Sequence, residues 1–534
     1  MENAGSLAGN LMRPDAFSHP ADGLQCIETH ISWVILAGEY AYKLKKPLNL
    51  GFLDFSTPAL RRAACEEELR LNRRTAPELY LEVVAIRGTE DRPRIGGDGP
   101  VLDHAVRMRR FDQSLLFGNL LDRDALTDDL IDRLAAHVAN FHAIAAVARP
   151  ADGFGAPADV RAPVRQNFEQ IRQRIDRADL LEQVDGIASW SEKEGERLAG
   201  AFQARLDGGQ VRECHGDLHL GNLTLVGGEP RLFDAIEFNP SLRWTDVIAD
   251  VAFLVMDLRA HSRTDLANRF LNAYLERTGD YAGLSVLRYY LVYRAMVRAK
   301  IAAIRLGQVD ATAREAELGE FRRYLDLAAA CALPAHAYAL IACGLSGSGK
   351  TTASMRLVAC RGVIRLRSDV ERKRLFGMPA ETRTRSSPGG GIYSEDAGVR
   401  TYAHLAELAA RVVASAYPVL VDATFLKGEQ RRRFRELAAQ LRVPCVVLYF
   451  DAPLRVLRER VARRAALATD ASEADVAVLE SQLARFEPPG RDAAEPVLRV
   501  PTDAGPDWDA LLPELDRMTG AAGPDPVKFQ PGGS

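Results

Sequence analysis

Between Cys26 and Ile35 apolar and polar residues alternate, with Ile27, Thr29, Ile31, Trp33 and Ile35 on one side. That is the two-residue period of a half-buried strand. After a turn at Gly38 comes a second strand pattern, Tyr40-Ala41-Tyr42-Lys43-Leu44. The spacing becomes helical from Thr57 to about Thr75, and strand-like runs return at 81–87 and 101–109 across a Gly/Pro/Asp-rich turn. Beyond Leu115 the pattern is helical through most of 127–148, 160–184 and 191–206, and again from Thr245 to about Ala330. Strands that feed helices predict a small α+β lobe followed by a helical lobe. After Pro334 the rhythm changes: apolar runs at 338–343, 362–367, 418–422 and 445–450 alternate with helical stretches. Such alternation predicts a doubly wound parallel α/β sheet with ligands at the carboxyl ends of its strands. Residues 1–23 read as a flexible lead-in, 24–333 and 334–519 as two domains, and the Gly/Pro/Asp-rich 520–534 as a disordered tail.

Composition narrows the class rather than the function. At 534 residues the chain exceeds one core, and 47% hydrophobic with 26% charged residues is ordinary for a soluble globular protein. A formal net charge of -3 gives no global reason to expect nucleic acid or an anionic membrane as partner. The seven cysteines contain no C-x-x-C and read as reduced thiols. With no basic-then-apolar leader and no apolar run of spanning length, the expectation is a cytoplasmic protein without a membrane segment.

Two stretches carry chemistry. Gly344-Leu345-Ser346-Gly347-Ser348-Gly349-Lys350-Thr351, followed by Thr352, fits G-x-x-x-x-G-K-[ST] between an apolar strand and a helix. Its glycines allow successive N–H groups to turn inward on a phosphate, and the helix N-terminus adds positive charge at the same place. Lys350 would reach the β/γ-phosphates of ATP and the Thr351 hydroxyl would hold Mg²⁺. Asp422, an acid after a buried apolar strand, is a second candidate for that metal. In the first half, His215-Gly216-Asp217 is followed by Asn222, the spacing of a kinase catalytic loop, and a hydrophobic hairpin then leads to Asp234. The chemistry asks for these types: a carboxylate, Asp217, to take or orient a hydroxyl proton, and an amide and an acid, Asn222 and Asp234, to hold Mg²⁺ over a triphosphate.

This set resembles the aminoglycoside phosphotransferase and choline kinase branch of the protein-kinase-like fold. With 28–34, 42–47, 51–55 and 68–72 the chain resembles the bacterial bifunctional aminoglycoside phosphotransferase/ATP-binding protein family, in which a P-loop kinase-like domain follows. The resemblance implies a two-lobed domain with an ATP site, Asp217 catalytic, and a small-lobe lysine paired with a helix glutamate. Lys43 fits the strand pattern, with Lys45 in reserve, and Glu68 is the partner, with Glu67 as alternative. One departure is that no G-x-G-x-x-G precedes Lys43; Thr29, His30 and Ser32 stand there. The second half resembles P-loop kinases related to polynucleotide kinase and zeta toxins. That resemblance implies Asp369 as general base, Arg372 steering the acceptor, and Arg460 with Arg463 or Arg464 stabilising phosphoryl charge.

The expectation is thus an ATP- and Mg²⁺-dependent kinase with two nucleotide sites, each acting on a hydroxyl, the first on that of a small molecule. Two rivals stand beside it. One half would bind nucleotide only to gate the other, or the C-terminal half would act on nucleic-acid ends through its arginine clusters at 431–433 and 458–464. Oligomeric state is open.

Overall fold

The computed structural model describes residues 6–49, 51, 53–333, 336–380, 382, 391–467, 476–492 and 494–521. The chain divides into two units, Met1–His261 with Tyr289–Cys331 and Ser262–Arg288 with Ala332–Ser534.

The first unit opens with six strands: β1 Gln25–Glu28, β2 Ser32–Ala37, β3 Tyr40–Lys45, β4 Tyr80–Thr89, β5 Arg92–Ile95 and β6 Val101–Arg109. They form an antiparallel sheet in the order β1-β2-β3-β6-β4-β5. The alternation from Cys26 to Ile35 is therefore two strands and not one. The chain reverses at Thr29, whose N–H donates to Ser32 O at 2.9 Å while its hydroxyl accepts the Ser32 N–H at 3.0 Å. A side chain that imitates a backbone turn leaves little trace in hydrophobic periodicity. Helix Pro58–Asn72 packs on this sheet, started by Pro58 at its first position and by the Thr57 hydroxyl, which accepts the Leu60 N–H. The lead-in differs from expectation as well. Ala8, Leu11, Ala16 and Phe17 are buried against Ile35, Tyr42 and Leu44, because the sheet face they cover is apolar.

The helical part includes Asp128–Ile144, Pro157–Arg172, Ala178–Arg197 and Val247–Ala260. Between them lie two small ribbons. Strand β7, Val211–Glu213, pairs with β10, Trp244–Asp246, and β8, Leu223–Val226, pairs with β9, Glu229–Leu232. Helix Val247–Ala260 is buried on almost every side, which is why its apolar positions run on instead of forming a stripe.

In the second unit β11 Ala339–Cys343, β12 Ile364–Arg367, β13 Val419–Asp422, β14 Cys445–Asp451 and β15 Val497–Pro501 make a parallel sheet in the order β12-β13-β11-β14-β15. The parallel doubly wound expectation holds, with β15 an additional strand that the apolar runs did not announce. Helix Thr264–Thr278, which the helical pattern from Thr245 onward places with the helical lobe, lies in this unit and covers edge strand β12. Asn272 accepts the Arg365 N–H at 2.8 Å and donates to Val363 O at 3.1 Å, while Asn268 donates to Ala359 O at 3.1 Å. Glu276 accepts from Arg365 and Arg367, each at 3.0 Å. A sheet edge otherwise presents unpaired N–H and C=O groups, and here a side-chain amide satisfies one of each. Asn272→Ala should therefore destabilise the second unit by about 1–3 kcal/mol, the cost of two buried backbone groups left without partners. Chemical denaturation of the full chain checks this, and an unchanged unfolding midpoint would refute it.

Candidate functional site

In the first unit the kinase-like residues meet where β3, helix Pro58–Asn72 and the loops after β7 and β9 converge. Strand alternation points Lys43 and Lys45 to one side, and both are buried. Lys43 Nζ lies 2.8 Å from Glu68 Oε1 and also donates to Asp234, while Lys45 Nζ lies 2.5 Å from Glu68 Oε2 and also donates to Glu237. The two lysines thus share one carboxylate, and Lys43 is the one that reaches Asp234. Glu67 turns the other way, to Arg70 and Arg243, so Glu68 is the lysine partner. Burial disfavours the Glu68 carboxylate, but the two ammonium groups outweigh it and hold its pKa well below the ordinary value of 4.5. For Lys43, burial works against the charge, and Asp234 and Glu68 more than restore it, so its pKa lies well above 10.5.

The loop from His215 to Asn222 is held from several directions. Asp250, fully buried, accepts the N–H groups of His215 at 2.7 Å and of Gly216 at 2.9 Å. The Asp217 N–H donates to His215 Nδ1 at 3.3 Å, so the ring proton sits on Nε2 and donates to Phe233 O at 2.9 Å. His215 therefore ties the loop to the residue before Asp234. Gly216 has φ 84, and a Cβ there would lie 3.0 Å from Leu242 O, which reserves the position for glycine. Arg294, buried, donates to Gly216 O at 2.9 Å and to Ala249 O at 3.1 Å.

Asn222 Nδ2 donates to Asp217 Oδ2 at 2.9 Å, which leaves its Oδ1 as the acceptor end of the amide. Asp234 takes φ 64, and it is held there by its N–H donating to Tyr80 Oη at 3.0 Å and by Ala235 N–H donating to Asn72 Oδ1 at 2.9 Å. His219 Nε2 lies 3.3 Å from Asp217 Oδ2, while its Nδ1 accepts the Gly221 N–H at 3.0 Å. Burial resists ionisation of Asp217, yet His219, His215 and Arg298 prevail and keep its carboxyl below the usual range. The oxygens of Asn222 and Asp234 are the hard donor set that Mg²⁺ takes.

Sequence reasoning missed three supports. Asp250 stands on helix Val247–Ala260 and braces the His215–Asn222 loop from there. Arg294 is 3% exposed, although helix arginines ordinarily face water. Asn72, four residues from Glu68 on the same helix face, was available as a signal from helical spacing.

In the second unit the Gly344–Thr351 turn joins β11, the central strand, to helix Lys350–Arg361. Gly347 and Gly349 take φ 81 and 79, and a Cβ on Gly347 would meet Leu457 O at 2.7 Å. Lys350 Nζ curls over the loop to Gly344 O at 2.8 Å and Leu345 O at 2.9 Å. Thr351 Oγ1 donates to Asp422 Oδ2 at 3.0 Å, and Arg365 Nη1 donates to Thr351 O at 3.1 Å. Thr351 and Asp422 again offer hard oxygens. Ser348 is buried and Thr352 is exposed.

Asp369 lies in the first turn of helix Ser368–Leu375, which follows β12, the strand beside β13 and Asp422. Arg372 Nη1 lies 3.5 Å from Asp369 Oδ1, with its guanidinium 4.9 Å from the Tyr393 ring centroid. Arg460 reaches the loop, but its guanidinium is taken up by Thr502 O at 2.6 Å, Thr502 Oγ1 at 3.2 Å and Gly347 O at 3.4 Å. The Arg464 side chain lies outside the described residues.

Residues 52–288 match the family described as "Phosphotransferase enzyme family" and residues 339–489 match one described as "AAA domain". An uncharacterized protein of Mycobacterium tuberculosis is 30% identical over 489 residues, 91% of this chain and 95% of its own length. Among solved structures, a choline/ethanolamine kinase family protein from Mesorhizobium loti is 14% identical, with a TM-score of 0.38 over 61% of this chain and 99% of that one. A gluconokinase from Sinorhizobium meliloti is 20% identical, with a TM-score of 0.25 over 35% of this chain and 95% of that one.

Because Glu68 is ionised at a lower pH in the folded chain than in the unfolded one, its contribution to stability is present at neutral pH and fades as pH falls below 4.5. Unfolding midpoints measured at pH 7 and near pH 3.5 should therefore converge in Glu68→Gln relative to the parent chain. Glu68→Ala, which takes from each of two buried ammonium groups one of its carboxylate partners, should cost about 3–5 kcal/mol at neutral pH. A loss below about 1 kcal/mol would show that the lysines are not held by this carboxylate.

Proposed function

Since the chain belongs to the family that joins an aminoglycoside phosphotransferase and choline-kinase-like domain to a C-terminal P-loop kinase-like domain, we propose that it is an ATP-dependent phosphotransferase with two nucleotide sites. The first moves the γ-phosphoryl group to the hydroxyl of a small molecule, and the second moves it to a further hydroxyl acceptor. The observation that carries this reading is the convergence of Lys43, Glu68 and Asp234 with the Asn222–Asp217 pair in the first unit.

Bound Mg²⁺-ATP would supply the phosphoryl group together with the positive charge that offsets its oxygens. Asn222 and Asp234 would hold the metal in the first site, and Thr351 with Asp422 would hold it in the second. Lys43, kept charged and aimed by Glu68, presents its ammonium to the phosphates. Asp217 orients the acceptor hydroxyl and takes its proton as the oxygen bonds the γ-phosphorus and the bond to the β-phosphate oxygen breaks. A carboxyl held below its usual range is a weak base, so Asp217 acts mainly by orientation and receives the proton late. In the second site Lys350 swings from the loop carbonyls to the phosphates, Asp369 plays the part of Asp217, and Arg372 steers the acceptor. Arg460, engaged with Thr502 and Gly347, shapes the back of the loop unless it changes partners.

A regulatory reading draws on the hairpin beside the first site. Its Thr29 hydroxyl closes the turn and no glycine loop covers the phosphates there. Single-turnover consumption of ATP by the full chain separates the two. Asp217→Asn should remove the first site's share and lower its rate by about 10²–10⁴, and Lys350→Ala should remove the share that remains. If Asp217→Asn changes nothing while nucleotide still binds the first unit, that unit gates rather than transfers. If neither substitution changes consumption, the phosphotransferase reading is lost.

A further inference from the structure

The N–H of Ser346, third residue of the Gly344–Thr351 turn, donates to Gln482 Oε1 at 2.9 Å. Because the donor is a backbone amide, it is the oxygen of the Gln482 carboxamide that faces the loop, and its NH₂ group is the other arm. Gln482 stands on helix Val476–Leu483, which is firmly seated. Leu479, fully buried on that helix, packs with Leu345 of the loop itself and with Leu457 and Val461. The chain just beyond is tied to the loop after β13 and to the helix Gly428–Gln440 that follows it. Glu487 N–H donates to Leu426 O at 2.9 Å, Gly428 N–H donates to Glu487 Oε2 at 2.7 Å, and Arg431 Nη1 donates to Glu487 O at 3.0 Å. Residues 476–487 therefore run from the Gly344–Thr351 turn to the loop that follows β13 and Asp422, and Gln482 lies on that bridge.

We propose that Gln482 is the residue by which the C-terminal site reads the terminal phosphate of its nucleotide. The proposal rests on the reading of Gly344–Thr351 as a triphosphate cradle. In such a cradle the N–H groups near the helix N-terminus serve the α- and β-phosphates, so a donor at the far end of the turn, as in Ser346, faces the γ end. The Gln482 oxygen supplies the acceptor that this N–H requires. A phosphate oxygen is also an acceptor and carries charge, so it is the stronger partner for the N–H. Oxygen beside oxygen is unfavourable, and rotating the carboxamide replaces the Gln482 oxygen by its NH₂, which donates to the phosphate. ADP lacks that phosphate and leaves the original Ser346–Gln482 bond in place.

The test is titration of the full chain with Mg²⁺-ADP and with the Mg²⁺ complex of a non-hydrolysable ATP analogue, taking second-site binding as the part that Lys350→Ala removes. Gln482→Leu, of similar size and without polar atoms, should weaken the analogue about tenfold and leave ADP within about twofold. Gln482→Glu keeps an oxygen for Ser346 but adds like charge and removes the donor, and should weaken the analogue by about a hundredfold. Equal losses for both nucleotides would overturn the proposal and make Gln482 a prop for its helix. Unchanged analogue affinity in both variants would overturn it too. If Lys350→Ala removes no binding at all, the cradle reading itself falls, and the proposal with it, a result distinct from either of those.

Discussion

A carboxylate buried away from water must be neutralised where it stands, and the first unit is arranged around that demand. Glu68 is fully buried, so the strand that faces its helix has to bring cations to it. It brings two, on alternate residues of β3, and each then requires a second acid: Asp234 for Lys43 and Glu237 for Lys45. The acids lie just after β9, so one ionic requirement on a helix fixes the relation of β3, the helix and the loop that presents Asp234. An apolar set of similar volume could pack as well, but it would not specify which strand residue meets which loop residue.

The same principle organises the His215–Asn222 loop from its other side. Asp250 satisfies its buried charge with two backbone N–H groups, and His142 and Arg294 add to this at 3.4 and 3.9 Å. Asp217 projects from a backbone that is itself pinned at His215 and Gly216. Its own carboxyl then faces a histidine and an amide rather than a buried lysine. Asp217 is thus held by its backbone, whereas Glu68 is held by its side chain.

In the second unit backbone geometry does more of this work. The central position of β11 puts the phosphate-binding turn between the ends of β13 and β14, and the parallel register aligns Arg367 with Asp422. Ionic constraint reappears at the edges. Glu276 gathers Arg365 and Arg367 against helix Thr264–Thr278, and Arg431 is buried against Glu495 at 2.8 Å. The arginine clusters that suggest a nucleic-acid surface in the sequence are largely spent on such partners. Arg432, Arg433 and Arg458 pair with Glu436, Glu429 and Glu480. Charge density along a chain counts cations without their counter-ions, and the counter-ions here come from one helical turn away or from another element.

What the sequence determined by itself is local chemistry. The Gly344–Thr351 turn, the His215–Asn222 spacing and the strand and helix periods are set within about ten residues, where bond geometry and side-chain type suffice. The choice of Glu68 over Glu67 lay beyond it, because neighbouring helix residues differ only in which way they face. So did the role of Asp250, the burial of Arg294, the seat of helix Thr264–Thr278 on β12 and the contact of Gln482 with Ser346. Each of these joins groups separated by tens to hundreds of residues, and nothing along the chain records such a meeting. Only burial decides it, since a charge or an amide removed from water has to find its partner among whatever the folded chain brings within reach.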